Sequence, residues 1–192
     1  MLRNRGCRRK HRVADVGARQ MYVIRAASPN DVHVVAALLR AYMLETYHHE
    51  WRGSVAGLLE DGFGARFRLL LAARRDQAVG FVAWERSYDL HHCLSGGHIL
   101  DLYVADGHRA RGVAVQLIAR TAGIIHSAGG AYLKGGAVEG GTGWRLYGRF
   151  APAFGNDYIL GGKAFRHLAA QADLPVRKLV RSMPRKEWNF EP

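Results

Sequence analysis

Residues 108–117 read "HRARGVAVQL": two arginines and a glycine stand directly before a smooth apolar helix. No Ser, Thr, Asp or Asn stands at the mouth of that helix to cap it. Uncapped main-chain N–H groups at a helix start attract anions, and the helix dipole adds partial positive charge. Arg109 and Arg111 add full charges, and an arginine fork can hold phosphate oxygens two at a time. The small residues Gly112 and Ala114 let a ligand approach the backbone of residues 110–115 closely. A second group of reactive residue types, His91, His92, Cys93 and His98, contains zinc-ligand chemistry. Adjacent histidines lack the paired spacing of a structural zinc site, so no metal is expected.

The elements that must position this turn follow from periodicity. "YVIRAA" (22–27) reads as a first strand. Ser28 and Pro29 then open a helix through "VHVVAALLRAYMLETY", with Asp31 in its first turn. "SVAGLLEDG" (54–62) reads as a short helix capped by Ser54 and stopped by Gly62. "RFRLLLAARRDQAVGFVAWERSYDL" reads as two strands around "RRDQ", followed by a loop, "HHCLSGG", and a strand, "HILDLYV". After the basic turn, the clearest helix of the chain runs to Gly129-Gly130. "AYLKGGAV" is a further strand, "TGWRLYGRF" a short helix, "DYILGGKAF" a last strand and "FRHLAAQAD" a closing helix. Consecutive strands followed by alternation predict an α/β (α+β) fold, a mixed sheet flanked by helices.

The 192 residues suit one domain over 21–192, with a core at about 22–172 and a basic tail at 173–192. Apolar residues are 48% and charged residues 23% of the chain, ordinary for a soluble globular protein. No apolar run approaches the roughly 20 residues of a membrane-spanning helix, so no membrane partner is expected. Two cysteines make no disulfide framework, and the expected setting is cytoplasmic. Half of the net charge of +12 sits in residues 1–20, where seven basic residues face Asp15 alone. That segment is read as a disordered leader, or as chain preceding a true start at Met21.

The element order, with this turn at this place, resembles the GCN5-related N-acetyltransferase superfamily over about residues 22–165. "IRAASPNDVHVVAALL" is similar to its opening strand and helix. "LDLYVADGHRARGVAVQLI" is similar to its acetyl-CoA motif, Arg/Gln-x-x-Gly-x-Gly/Ala. "RLYGRF" is similar to its late tyrosine-containing helix. The resemblance implies a mostly antiparallel sheet that splays between its fourth and fifth strands. It implies acetyl-CoA as cosubstrate, its pyrophosphate on Arg109, Ala110, Arg111, Gly112, Val113, Ala114 and Val115. The pantetheine arm would lie along the strand edge at Leu102, Tyr103 and Val104, where the Leu102 or Val104 amide could meet the oxyanion. Late-strand pairing into a homodimer is implied as well.

The implied reaction is attack of a neutral amine on a thioester, which needs a proton acceptor and a proton donor. Tyr147 occupies the family's tyrosine position and would protonate the departing sulfur. Many relatives carry a Glu where this chain has Leu100, so the base must differ. Strand alternation puts His98 on one face with Leu100, Leu102 and Val104, and Asp101 with Tyr103 on the other. His98 and Glu85 are the candidate bases, directly or through water, beside a reading with water alone. Asp101 is read as structural. Tyr47, His49 and Trp51 fall where relatives shape the acceptor pocket. With no acidic cluster near that pocket, a polycationic acceptor is disfavoured, and a small-molecule or amino-acid-like primary amine is expected. The competing readings are a non-catalytic acyl-CoA-binding module and an enzyme for an RNA-linked or protein amine; nucleic acid is the less favoured partner.

Overall fold

The computed structural model describes residues 22–64 and 66–147. Five strands form one sheet in sequence order: β1 (Val23–Ala26), β2 (Arg68–Arg74), β3 (Gln77–Asp89), β4 (Leu94–Val104) and β5 (Tyr132–Gly135). The first four pair antiparallel and β4–β5 pair parallel, giving the mixed sheet that the element order predicts, mostly antiparallel as the resemblance implies. Helices α1 (Val32–Tyr47) and α2 (Val55–Asp61) precede β2, and α3 (Val113–Ser127) joins β4 to β5. The described residues divide into two compact units after Gly136, and α4 (Thr142–Tyr147) belongs to the second. The expected leader, last strand, closing helix and tail lie outside the described residues. No described helix is long and apolar enough to cross a membrane.

Local chemistry explains the boundaries. Ser28 and a 3-10 turn at Pro29–Asp31 lead into α1. Asp31 Oδ2 accepts from the Ser28 amide at 2.8 Å and its hydroxyl at 3.0 Å, and Arg25 grips the same carboxylate at 2.6 Å. Ser54 Oγ accepts the Gly57 N–H at 3.0 Å, a side-chain cap on α2. Arg75 and Asp76, at φ 49° and 64°, make the two-residue left-handed turn that matches the twist of the β2–β3 hairpin.

Two features of β4 differ from expectation. The segment 94–97 is strand rather than loop. Gly96 and Gly97 are there because neighbours fill the space of their side chains: a Cβ on Gly96 would lie 2.5 Å from the Tyr132 ring, and one on Gly97 2.1 Å from Ile125 Cδ1. The register also slips near Leu100. Asp101 faces Ala83 while Ile99 faces Trp84, so a bulge breaks the period-2 alternation.

The sheet buries both faces. On one side, Val35 and Ala36 of α1 and Leu58 of α2 pack on Leu69, Leu71, Phe81, Ala83 and Tyr103. On the other, Val113 and Leu117 of α3 pack on Leu70, Val79, Val82, Ile99 and Val104. The buried residues of α3, Val113, Leu117, Thr121 and Ile125, recur every four residues, a helical stripe aimed at the sheet.

Candidate active site

The mouth of α3 has the backbone that the sequence demands. Gly112, at φ 81°, is its N-cap, and Ala110 two residues earlier is also left-handed at φ 55°. Residues in this conformation turn successive N–H groups into an anion-binding concavity. Gly112 has no side chain to cap with, and among the described residues none accepts from the amides of residues 110–115. Val113 is buried and anchors the helix, while Arg111 and Val115 are exposed and Ala114 is partly buried. His108 holds the turn from behind through Tyr22, whose hydroxyl lies 3.1 Å from Nδ1.

Beside this mouth the sheet is open. β5 pairs with β4 only from Gly96 to Ile99, so Leu100–Val104 have no strand on that side. The Ala105 N–H is given to Val79 O. By alternation the main-chain groups of Leu102 and Val104 turn away from β3, toward the free edge. An unpaired edge can take an amide-bearing ligand as it takes a peptide strand. The amides of 110–115 and the Leu102–Val104 edge thus fit a coenzyme with a pyrophosphate and a peptide-like arm.

Arg109 is tied to both α1 and β4. Its guanidinium pairs with Glu45 of α1, its Nε gives a 2.8 Å hydrogen bond to Val104 O, and it lies over the Tyr103 ring. The Tyr103 hydroxyl donates to the other oxygen of Glu45 at 2.7 Å. Burial alone would push the Glu45 pKa up. The bonds from Tyr103 and Arg109 outweigh it and hold the carboxyl below its usual value. Burial, then Glu45, raises the Tyr103 phenol to about 12. Sequence reasoning missed Glu45, whose partners are 58 and 64 residues away and leave no local signal.

The bulge also changes sides for His98. Ile99 packs in the α3-side cluster, so its neighbour His98 projects to the α1 side, with Asp101 and Tyr103 rather than with Leu102 and Val104. Its Nδ1 is 3.4 Å from Glu85 Oε1, so the two candidate bases stand together across the strand pair. Asp101 is partly buried on that face. Burial raises its pKa, against a hydrogen bond from the Tyr42 hydroxyl. Asp101 and Glu85 share the α1 side of the sheet with Glu45.

At the end of α1, Tyr47 lies 3.3 Å, oxygen to oxygen, from Tyr42, and the His49 ring stacks on Tyr47 at 6.0 Å. Trp51 is covered by Arg40 and by Gly53, where a Cβ would come within 2.5 Å of the indole. Tyr47 and His49 are thus linked to Asp101, while Trp51 packs the loop. Tyr147 ends α4 in the second unit, and burial raises its phenol pKa. His91 and His92 lie on the exposed β3–β4 turn, where Asp89 accepts both amides and the His92 ring.

A family model described as "Acetyltransferase (GNAT) family" matches residues 32–135. The chain belongs to that family. It is therefore an N-acetyltransferase. Solved structures with the same fold include a ribosomal-protein-alanine N-acetyltransferase from Brucella melitensis, 25% identical, at a TM-score of 0.61. That match covers 74% of this chain and all of the other. An aminoglycoside acetyltransferase from an uncultured soil metagenomic sample is 26% identical at a TM-score of 0.54, over 73% of this chain and 99% of its own. A second soil enzyme, solved with sisomicin, is 15% identical at 0.59, over 73% and 93%. Among curated proteins none matches the chain.

Proposed function

We propose that this N-acetyltransferase moves acetyl from acetyl-CoA to a primary amine of a small-molecule or amino-acid-like acceptor. The observation that carries the reading is the pairing of an uncapped, left-handed helix mouth at Gly112 with the unpaired β4 edge at Leu102–Val104. The amides of residues 110–115, with the exposed Arg111, hold the pyrophosphate. Arg109, bound to Glu45, sets the angle of the turn rather than gripping phosphate itself. The Leu102 and Val104 main chain holds the arm of the coenzyme, whose thioester supplies the acetyl group. An N–H of that edge is the oxyanion donor. Tyr147 is the proton donor for sulfur, and its raised pKa keeps it protonated at neutral pH. Tyr47 and His49 line the acceptor's approach. His98 and Glu85 lie on the same side of the sheet and can pass protons onward to water.

The test is calorimetry of the full chain with acetyl-CoA, followed by thiol release against an amine panel. The panel holds sisomicin, an alanine-starting peptide, spermidine and single amino acids. Saturable binding and thiol release with at least one amine are expected, with turnover falling about a hundredfold in Tyr147→Phe. No heat with acetyl-CoA overturns the reading. Binding without release for any amine leaves a non-catalytic acyl-CoA module in its place.

A further inference from the structure

We propose that Asp101 is the catalytic carboxylate that receives the acceptor ammonium and takes its proton. This rests on the acetyl-transfer reading and names the residue that the reading leaves open.

Had β4 alternated without interruption, His98 would share a side with Leu102. The slip near Leu100 instead puts Asp101 on the α1 side just after pairing with β5 ends at Ile99. Asp101 directly precedes Leu102, whose main chain lies on the open edge. A group held along that edge has Asp101 and Tyr103 as its flanking side chains on the α1 side. His98 is three residues back, beside the stretch that β5 still covers.

The surroundings suit an ammonium. Asp101 packs under α1 beside the Tyr42 hydroxyl, and the Tyr42 ring lies 5.8 Å from that of Tyr103. Tyr47 extends the chain of hydroxyls outward from Tyr42. The charged groups on the same side are already engaged: Glu45 with Arg109, and Glu85 with His98. No cation among the described residues pairs with Asp101. A partly buried carboxylate with a phenol but no cation beside it attracts a positive charge from outside. Burial also makes it a stronger proton acceptor than an exposed aspartate.

Asp101 takes one proton from the ammonium, and the freed nitrogen lone pair forms the N–C bond to the thioester carbonyl. The C–S bond then breaks with its electron pair on sulfur. The departing sulfur takes up the second proton as it leaves nitrogen. Asp101 returns its proton to water by way of Tyr42 and Tyr47.

The experiment compares the wild type with Asp101→Asn and Asp101→Glu, using the panel amine that gives fastest thiol release. Acetyl-CoA affinity is measured by calorimetry and the pH dependence of kcat/KM is recorded. Asp101→Asn keeps the shape and the Tyr42 contact but cannot accept a proton. It should lower kcat about a hundredfold or more, with acetyl-CoA affinity within about twofold. The acid limb of the pH profile should disappear. Asp101→Glu should recover part of the rate and restore that limb. His98→Ala should cost less than about tenfold. Asp101→Asn with turnover within threefold of wild type and the acid limb intact overturns the inference while leaving acetyl transfer standing. A wild type that releases no thiol with any panel amine overturns both.

Discussion

The two sides of this sheet are built from the same strands and do different work. On the α3 side, Val82, Ile99, Val104, Val113 and Leu117 meet in an apolar cluster with Tyr22 packed against it. On the α1 side, Phe81, Ala83 and Val35 share the space with Tyr42, Asp101, Tyr103, Glu45 and Arg109. The apolar side fixes where α3 starts and therefore where its free amides point. The other side carries linked carboxylates, phenols and a guanidinium. A strand that alternates sides could serve both tasks along its length, but the β4 bulge lets Asp101 and His98 face the same way.

If this division holds, damage to the α3 side should cost stability first. Leu117 is fully buried at the centre of the α3 stripe. Leu117→Ala should destabilise the fold by about 2–5 kcal/mol, read by urea denaturation. Under strongly native conditions the pH profile of kcat/KM should keep its shape. A changed acid limb in Leu117→Ala would mean that the two sides are not separable.

The next prediction divides the α1 side within itself. Asp101 and Glu45 are both carboxylates there, yet their pKa values move in opposite directions. The Asp101 carboxyl binds its proton more tightly folded than unfolded. Its ionisation therefore costs stability at neutral pH, and the cost disappears as pH falls through the folded-state value. Glu45 is held below its ordinary value, so its contribution is present above that value and is lost as pH falls below it. Asp101→Asn should melt no lower than wild type at pH 7, with any gap closing toward pH 4. Glu45→Gln should melt lower at pH 7, with the gap closing only below the ordinary carboxylate range. Parallel curves for the two variants would break the distinction.

Much of this was legible in the chain. The Gly112 turn, the Ser54 cap, the i,i+4 stripe of α3 and the order of the strands are short-range signals, and each is present. What escaped is tertiary. Gly96 and Gly97 read as loop residues because sequence does not show Tyr132 and Ile125 waiting to fill their side-chain space. The bulge at Leu100 carries no Gly or Pro to announce it, and one slipped residue reverses the face assigned to His98. Nothing local to Arg109 shows that α1 brings Glu45 to it. The neighbour of Asp101 on that side, Tyr42, also comes from α1 and leaves no local signal beside it.

The smallest effect concerns how α1 is held. Arg25 and Ser28 fix Asp31 at its head, Arg25 foremost, and keep the Asp31 carboxyl well below the usual range. Asp31→Ala should cost about 1 kcal/mol, the ordinary worth of a helix-start contact. The loss should fade as pH falls through the folded-state value of Asp31, since the protonated wild type has already lost the interaction. Tyr42 and Glu45 lie about three turns further along the same helix, which the packing of Val32, Val35 and Ala36 holds to the sheet. The rate should therefore be unchanged while stability falls. A drop in kcat beyond about threefold would show that the position of α1, and with it the contact between Tyr42 and Asp101, is set from its N-terminus rather than by the core beneath it.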